Sequence, residues 1–197
     1  MKKHLVIAAL ILCLIVPVSA LAGVPLDMVK GNVDKVLEVL RDPSLKAESA
    51  KKIKKDKIMD IADKMFDFTE LSKRTLAQYW NKLNAAQQKE FVDLYKSLLA
   101  DTYADKILQY TEEKIVFGKE VPLAEKTVEV QSTVMRKNGD VSIYYRVIQD
   151  DGSWRIYDVV IEGVSLISNY RSQFKEILAN KPPESLLETL RKKTGKT

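Results

Sequence analysis

Residues 154–174 read WRIYDVVIEGVSLISNYRSQF, and the hydrophobic pattern of this stretch changes halfway along it. The part from Trp154 to Ile161 is rich in the β-branched and aromatic residues that favour strands. Gly163 then marks a turn, and Ser165 is suited to cap a helix whose apolar residues recur at three- and four-residue steps. The stretch therefore predicts a strand, a tight turn and a closing helix, with one acid, Asp158, inside the apolar strand.

Asp158 has two interpretations, one catalytic and one structural. Burial disfavours the charged form of a carboxylic acid unless a partner stabilises it, so Asp158 is the best candidate for a general acid or base. In the structural interpretation, its carboxylate accepts hydrogen bonds from backbone N–H groups or an arginine and fixes the following turn. The structural interpretation is favoured, because structural networks also hold buried acids.

An antiparallel meander is predicted ahead of Asp158. Residues 128–135 alternate between apolar and polar, and residues 141–147 do so again. Between them, Asn138-Gly139 is a strong hairpin signal that predicts a type I′ turn. An earlier strand around residues 115–121 would raise the number of strands from three to four.

The first half of the chain has the periodicity of helices. Apolar stripes run over residues 29–40, 53–65 and 71–80, and Asn84 with Gln87 forms a capping-box pattern at the start of a longer helix. Helices followed by an antiparallel sheet predict the α+β class, with N-terminal helices packed on the sheet and closing C-terminal helices after it.

The N-terminus has the layout of a cleavable secretory signal peptide. Basic residues at positions 2–4 precede an apolar run over residues 5–16 and an Ala-Leu-Ala sequence at 20–22. The run is short for a membrane span. Residues 1–22 are therefore predicted to be a signal peptide, and residues 23–197 a single exported domain.

Export would remove His4 and Cys13, the only histidine and the only cysteine in the chain. Their loss would exclude a Ser-His-Asp or Cys-His site, a disulfide framework, and a zinc site built on these residues. The net charge would fall from +5 to +3, with both signs interspersed. The densest basic cluster, Lys51 to Lys57, is interpreted as a solvated helix face rather than a contact for acidic lipid. No nucleic-acid partner is expected.

Residues 154–165 and 169–174 closely resemble the signature of the periplasmic phospholipid-carrier family of the Mla pathway. The family is also called the toluene-tolerance auxiliary component of an ABC transporter. An upstream motif agrees as well, and it comprises Phe66, Asp67, Phe68, Leu71, Arg74, Leu76, Trp80, Gln87, Phe91 and Leu98. The resemblance covers nearly all of the predicted domain. One departure is Ala77, where members often have glycine.

The resemblance implies a lipid carrier rather than an enzyme, without a cofactor. Members hold glycerophospholipid tails in an apolar pocket between helices and a curved sheet, with the headgroup near solvent. They pass lipid between an outer-membrane lipoprotein complex and an inner-membrane ABC transporter with an MCE-domain protein, which maintains outer-membrane lipid asymmetry. Asp158, Glu162, Gly163 and Ser165 would then be structural residues of the motif.

The pocket wall is expected to come from apolar side chains of the long helix and the sheet. The predicted lining residues are Phe91, Leu94, Leu98, Tyr103 and Ile107 on the helix, and Val134, Ile143, Tyr145, Val147, Trp154, Ile156 and Val160 on the sheet. Whether each is pocket wall or plain core is left open by the sequence. Arg74, Arg155 and Arg171 are candidates for headgroup or partner contacts, with an exposed surface role as the alternative.

Two other functions remain open at this point. One is a small α+β enzyme that uses Asp158 in an apolar cavity. The other is a periplasmic adaptor with a filled core that binds only protein. Bound phospholipid would distinguish the carrier from both.

Overall fold

The sheet of this protein is antiparallel, and each strand pairs with its neighbour in the chain. The computed structural model describes residues 24–110 and 113–196. The strands, in sheet order, are β1 (Lys114–Ala124), β2 (Thr127–Met135), β3 (Val141–Asp150), β4 (Ser153–Ile161) and β5 (Val164–Ser165). The sheet thus exceeds the predicted three to four strands, because the chain folds back after β4 and forms the two-residue strand β5.

Two hairpins turn through pairs of residues with positive φ. Asp151 and Gly152 connect β3 to β4, and Glu162 and Gly163 connect β4 to β5. A positive φ at both central residues is the requirement of a type I′ turn, whose twist matches that of the flanking strands. Glycine supplies the second of these conformations without steric cost.

The β2–β3 hairpin differs from its predicted form. The prediction of a type I′ turn at Asn138-Gly139 is wrong, because the connection spans residues 136–140 and only Gly139 has a positive φ. Gly139 N–H donates a hydrogen bond to the Arg136 carbonyl at 3.4 Å, which closes a wider loop. The hairpin itself is present at the predicted place.

The rest of the described chain includes six α-helices. They are α1 (Val24–Arg41), α2 (Lys51–Met65), α3 (Phe68–Leu76), α4 (Ala85–Leu108), α5 (Leu166–Leu178) and α6 (Glu184–Thr194). The capping box predicted for α4 forms, with the Asn84 side chain and the Gln87 backbone N–H 3.0 Å apart. The basic C-terminal segment forms helix α6, whose leucines, Leu187 among them, are buried.

The predicted signal peptide, residues 1–22, lies outside the described residues. Within residues 24–110 and 113–196, no helix combines the length and the apolar character needed to cross a membrane. The same ranges contain no cluster of three or more histidine, cysteine or acidic side chains arranged to hold a metal ion. Export and the lack of a cofactor therefore stay predictions.

Two hydrophobic clusters hold the layers together. The helical core packs α3, α4, α5 and α6 against one another and against Tyr157 of β4, and its members include Leu71, Phe91, Tyr95, Tyr170 and Phe174. The sheet core packs α1 and α2 on one face of the sheet, here called the inner face, and includes Val29, Val33, Val130, Tyr145, Val147, Ile156 and Val159. The helices therefore bury two separate apolar surfaces.

A β-bulge in β4 determines which of its residues share a face. The register pairs Asp158 with Arg146 but Ile156 with Val147, so Tyr157 is an extra residue without a partner of its own. A bulge of this kind shifts the alternation of side chains by one residue. As a result, Asp158 lies on the face opposite the sheet core.

Asp158 connects the sheet to α5 through its buried carboxylate, which is 1% exposed. One oxygen accepts hydrogen bonds from the Ser165 hydroxyl at 2.6 Å and from Arg146 Nη1 at 3.2 Å. The other accepts the Ile167 backbone N–H at 3.1 Å. Arg146 is also 3.2 Å from a Glu129 oxygen. The acid in the apolar strand therefore holds β2, β3, β4 and the start of α5 together.

Removal of this carboxylate is expected to destabilise the fold. In Asp158→Ala, the Ile167 N–H and the Ser165 hydroxyl lose their acceptor in a buried place. We expect the free energy of unfolding to fall by about 3 kcal/mol, as measured by urea denaturation followed by tryptophan fluorescence. Asp93→Ala, at an exposed position of α4, is the control and should change it by less than about 0.5 kcal/mol. Equal effects of the two variants would contradict the network's role.

Ala77, the position where the resembled family often has glycine, has an unusual backbone conformation. At the end of α3 its φ is 49° and its ψ is −121°, a conformation that strains residues with a Cβ atom. Ala77→Gly should therefore raise the free energy of unfolding by about 1 kcal/mol in the same urea experiment. Ala86→Gly, in the first turn of α4, should lower it. A loss of stability in Ala77→Gly would show that the alanine is unstrained.

Candidate functional site

An apolar cavity of about 280 Å³ lies between the helices α1, α2 and α4 and the inner face of the sheet. Its volume exceeds the roughly 150 Å³ of an engineered apolar cavity that stays dry and binds benzene. A cavity of this size is unusual in a protein interior, which is normally close-packed. The space therefore favours an apolar ligand over water.

Much of the wall comes from α1 and α2, which were not among the predicted site elements. The apolar wall residues on these helices are Val33, Val36, Leu37, Leu40, Ile58, Met59, Ala62 and Met65. Their periodicity identifies an apolar helix face. It carries no information on whether that face meets another side chain or an empty space, so the sequence alone did not identify them as wall.

The Phe66-Asp67-Phe68 motif places two aromatic rings on the wall. The rings of Phe66 and Phe68 are stacked with their centroids 5.4 Å apart, and both line the cavity. Asp67 between them donates its backbone N–H to the Ile156 carbonyl at 2.8 Å, and its side chain accepts the Glu70 N–H at 2.8 Å. The motif thus joins the bulged strand β4 to the start of α3.

Five of the twelve predicted lining residues lie on the cavity wall. They are Tyr103 and Ile107 on α4, and Val134, Ile143 and Tyr145 on the sheet. They cluster near the C-terminal end of α4 and the β2–β3 hairpin. Contact of these residues with a ligand remains a prediction.

Three predicted residues of α4 lie outside the wall. Phe91 and Leu94 are buried in the helical core, and Leu98 packs against it. The reason is the length of α4, whose first half is enclosed by other helices while its second half passes over the sheet. The continuous apolar face of this helix therefore packs in the helical core at its start and lines the cavity near its end.

The predicted sheet residues outside the wall have two different explanations. Val147, Trp154 and Ile156 are on the inner face, but α1 covers them in the sheet core. Val160 lies on the opposite face because the bulge shifts the alternation of β4. In place of Val160, its neighbours Val159 and Ile161 line the cavity.

The three candidate arginines lie away from the wall. Arg74 is bound to Glu70 at 2.7 Å and stacks over the Tyr157 ring at 4.2 Å. Arg171 donates to the Arg74 carbonyl at 2.6 Å, and Arg155 is exposed. None of the three is a wall residue, because each lies on a side of α3, α5 or β4 that faces away from the cavity.

Polar groups on the wall are few and are held by neighbours. Lys55 on α2 pairs with Asp101 of α4 at 2.9 Å, and Lys96 of α4 pairs with Asp63 of α2 at 2.5 Å. Burial raises the pKa of Tyr145 to about 12, so this phenol stays protonated at neutral pH. No carboxylate is among the described wall residues. Such a wall is suited to holding an apolar ligand rather than to acid–base chemistry.

The fold and this site define a class of α+β proteins in which helices and an antiparallel sheet enclose an apolar binding cavity. The family model for MlaC protein matches residues 30–192. The chain belongs to the MlaC family, which confirms the family resemblance found in residues 154–174. The α+β fold class is confirmed as well.

A solved structure and two curated relatives resemble the chain. The structure, a phospholipid-binding protein from Ralstonia solanacearum in complex with a phospholipid, has a TM-score of 0.75 and 26% identity, over 85% of this chain and 95% of that one. The toluene tolerance protein ttg2D of Pseudomonas putida is 23% identical over 80% of this chain and 74% of its own length. The intermembrane phospholipid transport system binding protein MlaC of Haemophilus influenzae is 24% identical over 58% of this chain, and the match spans 56% of that relative.

Filling the cavity should block the binding of an apolar probe. Ala104 lies on the wall near the end of α4, so the indole of Ala104→Trp would occupy cavity space. We expect the affinity of delipidated protein for N-phenyl-1-naphthylamine, measured by its fluorescence, to fall at least about tenfold. Ala86→Trp, exposed on the same helix, is the matched control and should bind normally. Equal binding by both variants would show that the probe enters elsewhere.

Proposed function

We propose that this chain is a periplasmic phospholipid-binding protein that carries glycerophospholipid between the outer and inner membranes. The observation that carries the proposal is the apolar cavity between α1, α2, α4 and the sheet, with a wall that lacks carboxylates among its described residues. Support comes from membership of the MlaC family and from likeness to a protein solved with a phospholipid.

The physical reason for such a carrier is the cost of exposing acyl chains to water. Burial of acyl chain is worth about 0.8 kcal/mol per methylene, so two chains of ordinary length amount to roughly 20 kcal/mol or more. A phospholipid therefore hardly crosses water unaided. A cavity that offers similar apolar surroundings makes the exchange with a membrane nearly neutral, and contacts with partner proteins then decide its direction. No chemical step is required.

The two other functions receive less support from the site. An enzyme that uses Asp158 would need this acid inside the cavity, whereas its carboxylate is bonded to Ser165, Ile167 and Arg146 on the opposite side of β4. An adaptor that binds only protein would have no use for an apolar cavity that its own side chains leave unfilled, because such a cavity lowers stability.

The cellular setting is part of the proposal, and the N-terminal sequence and the relatives support it. A cleaved signal peptide over residues 1–22 would place the protein in the periplasm. The names of the relatives, an intermembrane phospholipid transport protein and a toluene tolerance protein, support a role beside an ABC transporter. The proposed partners are an inner-membrane transporter with an MCE-domain protein and an outer-membrane lipoprotein complex.

Phospholipid should accompany the protein through gentle purification. We expect native mass spectrometry of periplasmic protein, combined with lipid extraction, to show at least one phospholipid per chain. The purified protein should then move fluorescent phospholipid from donor to acceptor vesicles at a rate proportional to its concentration, while Ala104→Trp transfers it more slowly. An empty protein that takes up no phospholipid from vesicles would contradict the proposal. Bound lipid without transfer would show that the protein binds phospholipid but does not carry it between membranes.

A further inference from the structure

The cavity is partly open, and its wall is partly exposed at the C-terminal end of α4. Wall residues at the other end, such as Leu71 and Met65, are 0% and 6% exposed. Ile107 and Ile115 near the end of α4 are only half-buried, and Val164, which is paired with the wall residue Ile161, is 57% exposed. A ligand with an apolar part and a polar part can therefore hold its polar part at this end.

An arginine and a tyrosine lie together at this open end. Tyr110, just beyond the end of α4, is a wall residue. The guanidinium of Arg136, in the β2–β3 loop, lies 4.9 Å from the centre of the Tyr110 ring and donates a hydrogen bond to its hydroxyl oxygen. Stacking on an aromatic face attracts a cation and restricts its motion. Arg136 is thus held at the exit of the cavity.

Arg136 differs from the two lysines of the cavity wall in the partners of its charged group. Lys55 and Lys96 are each neutralised by an aspartate of the facing helix. Within the part of the chain that the structure describes, no carboxylate pairs with the guanidinium of Arg136. The nearby Asp140 accepts the backbone N–H of Arg136 at 3.2 Å instead. The guanidinium therefore keeps donors and a full charge for an anion.

We propose that Arg136, positioned by the ring of Tyr110, binds the phosphate of the phospholipid headgroup at the exit of the cavity; this inference rests on the proposed function. A guanidinium presents several N–H donors in a planar fork that matches two phosphate oxygens. The phosphodiester is common to glycerophospholipids whatever their headgroup, so this contact selects phosphate over an uncharged lipid. The acyl chains occupy the apolar wall behind it.

The test compares two ligands that share their acyl chains. Dioctanoyl phosphatidylglycerol carries the phosphate, and dioctanoylglycerol lacks it. Affinities are measured by isothermal titration calorimetry on delipidated protein from which any leader peptide has been cleaved. We expect wild type to bind the phospholipid more tightly, and Arg136→Gln to weaken phospholipid binding about tenfold without changing the affinity for dioctanoylglycerol. Arg136→Lys should restore part of the loss, because it restores the charge but not the fork.

Matched controls separate this contact from general charge and from loss of fold. Lys137→Gln removes one positive charge from the same loop and should bind both lipids as wild type does. Equal weakening by Lys137→Gln and Arg136→Gln would overturn the inference and leave only a basic surface. Circular dichroism and thermal unfolding of Arg136→Gln should match wild type.

The remaining outcomes separate a failure of the proposed Arg136 contact from a failure of the proposed carrier function. If wild type binds phospholipid and Arg136→Gln binds it equally well, the inference fails while the carrier function stands. If wild type binds neither lipid, both fail. Inorganic phosphate alone is a further probe, and we expect no measurable Arg136-dependent binding of it at millimolar concentration. Tight Arg136-dependent binding of free phosphate would assign the site to the ion rather than to the lipid.

Discussion

The carboxylate of Asp158 is the contact on which the arrangement of the layers depends. Its bonds to Arg146, Ser165 and the Ile167 N–H require it to leave the inner face of the sheet, and the bulge at Tyr157 provides that shift. The bulge in turn directs Val159 rather than Val160 toward the cavity. One acid thus sets both the start of α5 and the composition of the opposite wall.

Side chains of the helices pack directly on one end of the inner face of the sheet, whereas the other end of this face lines the cavity. Side chains of α1, among them Val29 and Val33, pack on the end that carries Val147 and Ile156. At the other end, α2 and the second half of α4 pass over the sheet without filling the space, and Ala104 is one of the small residues that face it. Core and cavity wall therefore have the same chemistry and differ only in how closely the facing helix approaches.

This likeness between core and wall limits what the sequence predicts. Local patterns are enough to predict the strands, the capping box at Asn84 and the cap at Ser165. Whether an apolar residue lines the cavity depends on long-range packing. The local pattern therefore predicts Phe91 on the wall and gives no sign that Val36 lies there. The shift of β4 was also beyond the pattern, because the bulge follows from the pairing of Asp158 with Arg146 across strands.

The two helices that cover the cavity end of the sheet, α2 and α4, are joined across their outer edge by ion pairs. Lys51 and Lys55 of α2 pair with Asp105 and Asp101 of α4, and Lys96 of α4 pairs with α2. Exposed pairs of this kind contribute about 0–1 kcal/mol each, far less than the burial of a large apolar side chain in the helical core. These ion pairs therefore hold α2 to α4 less strongly than apolar packing holds the helical core together.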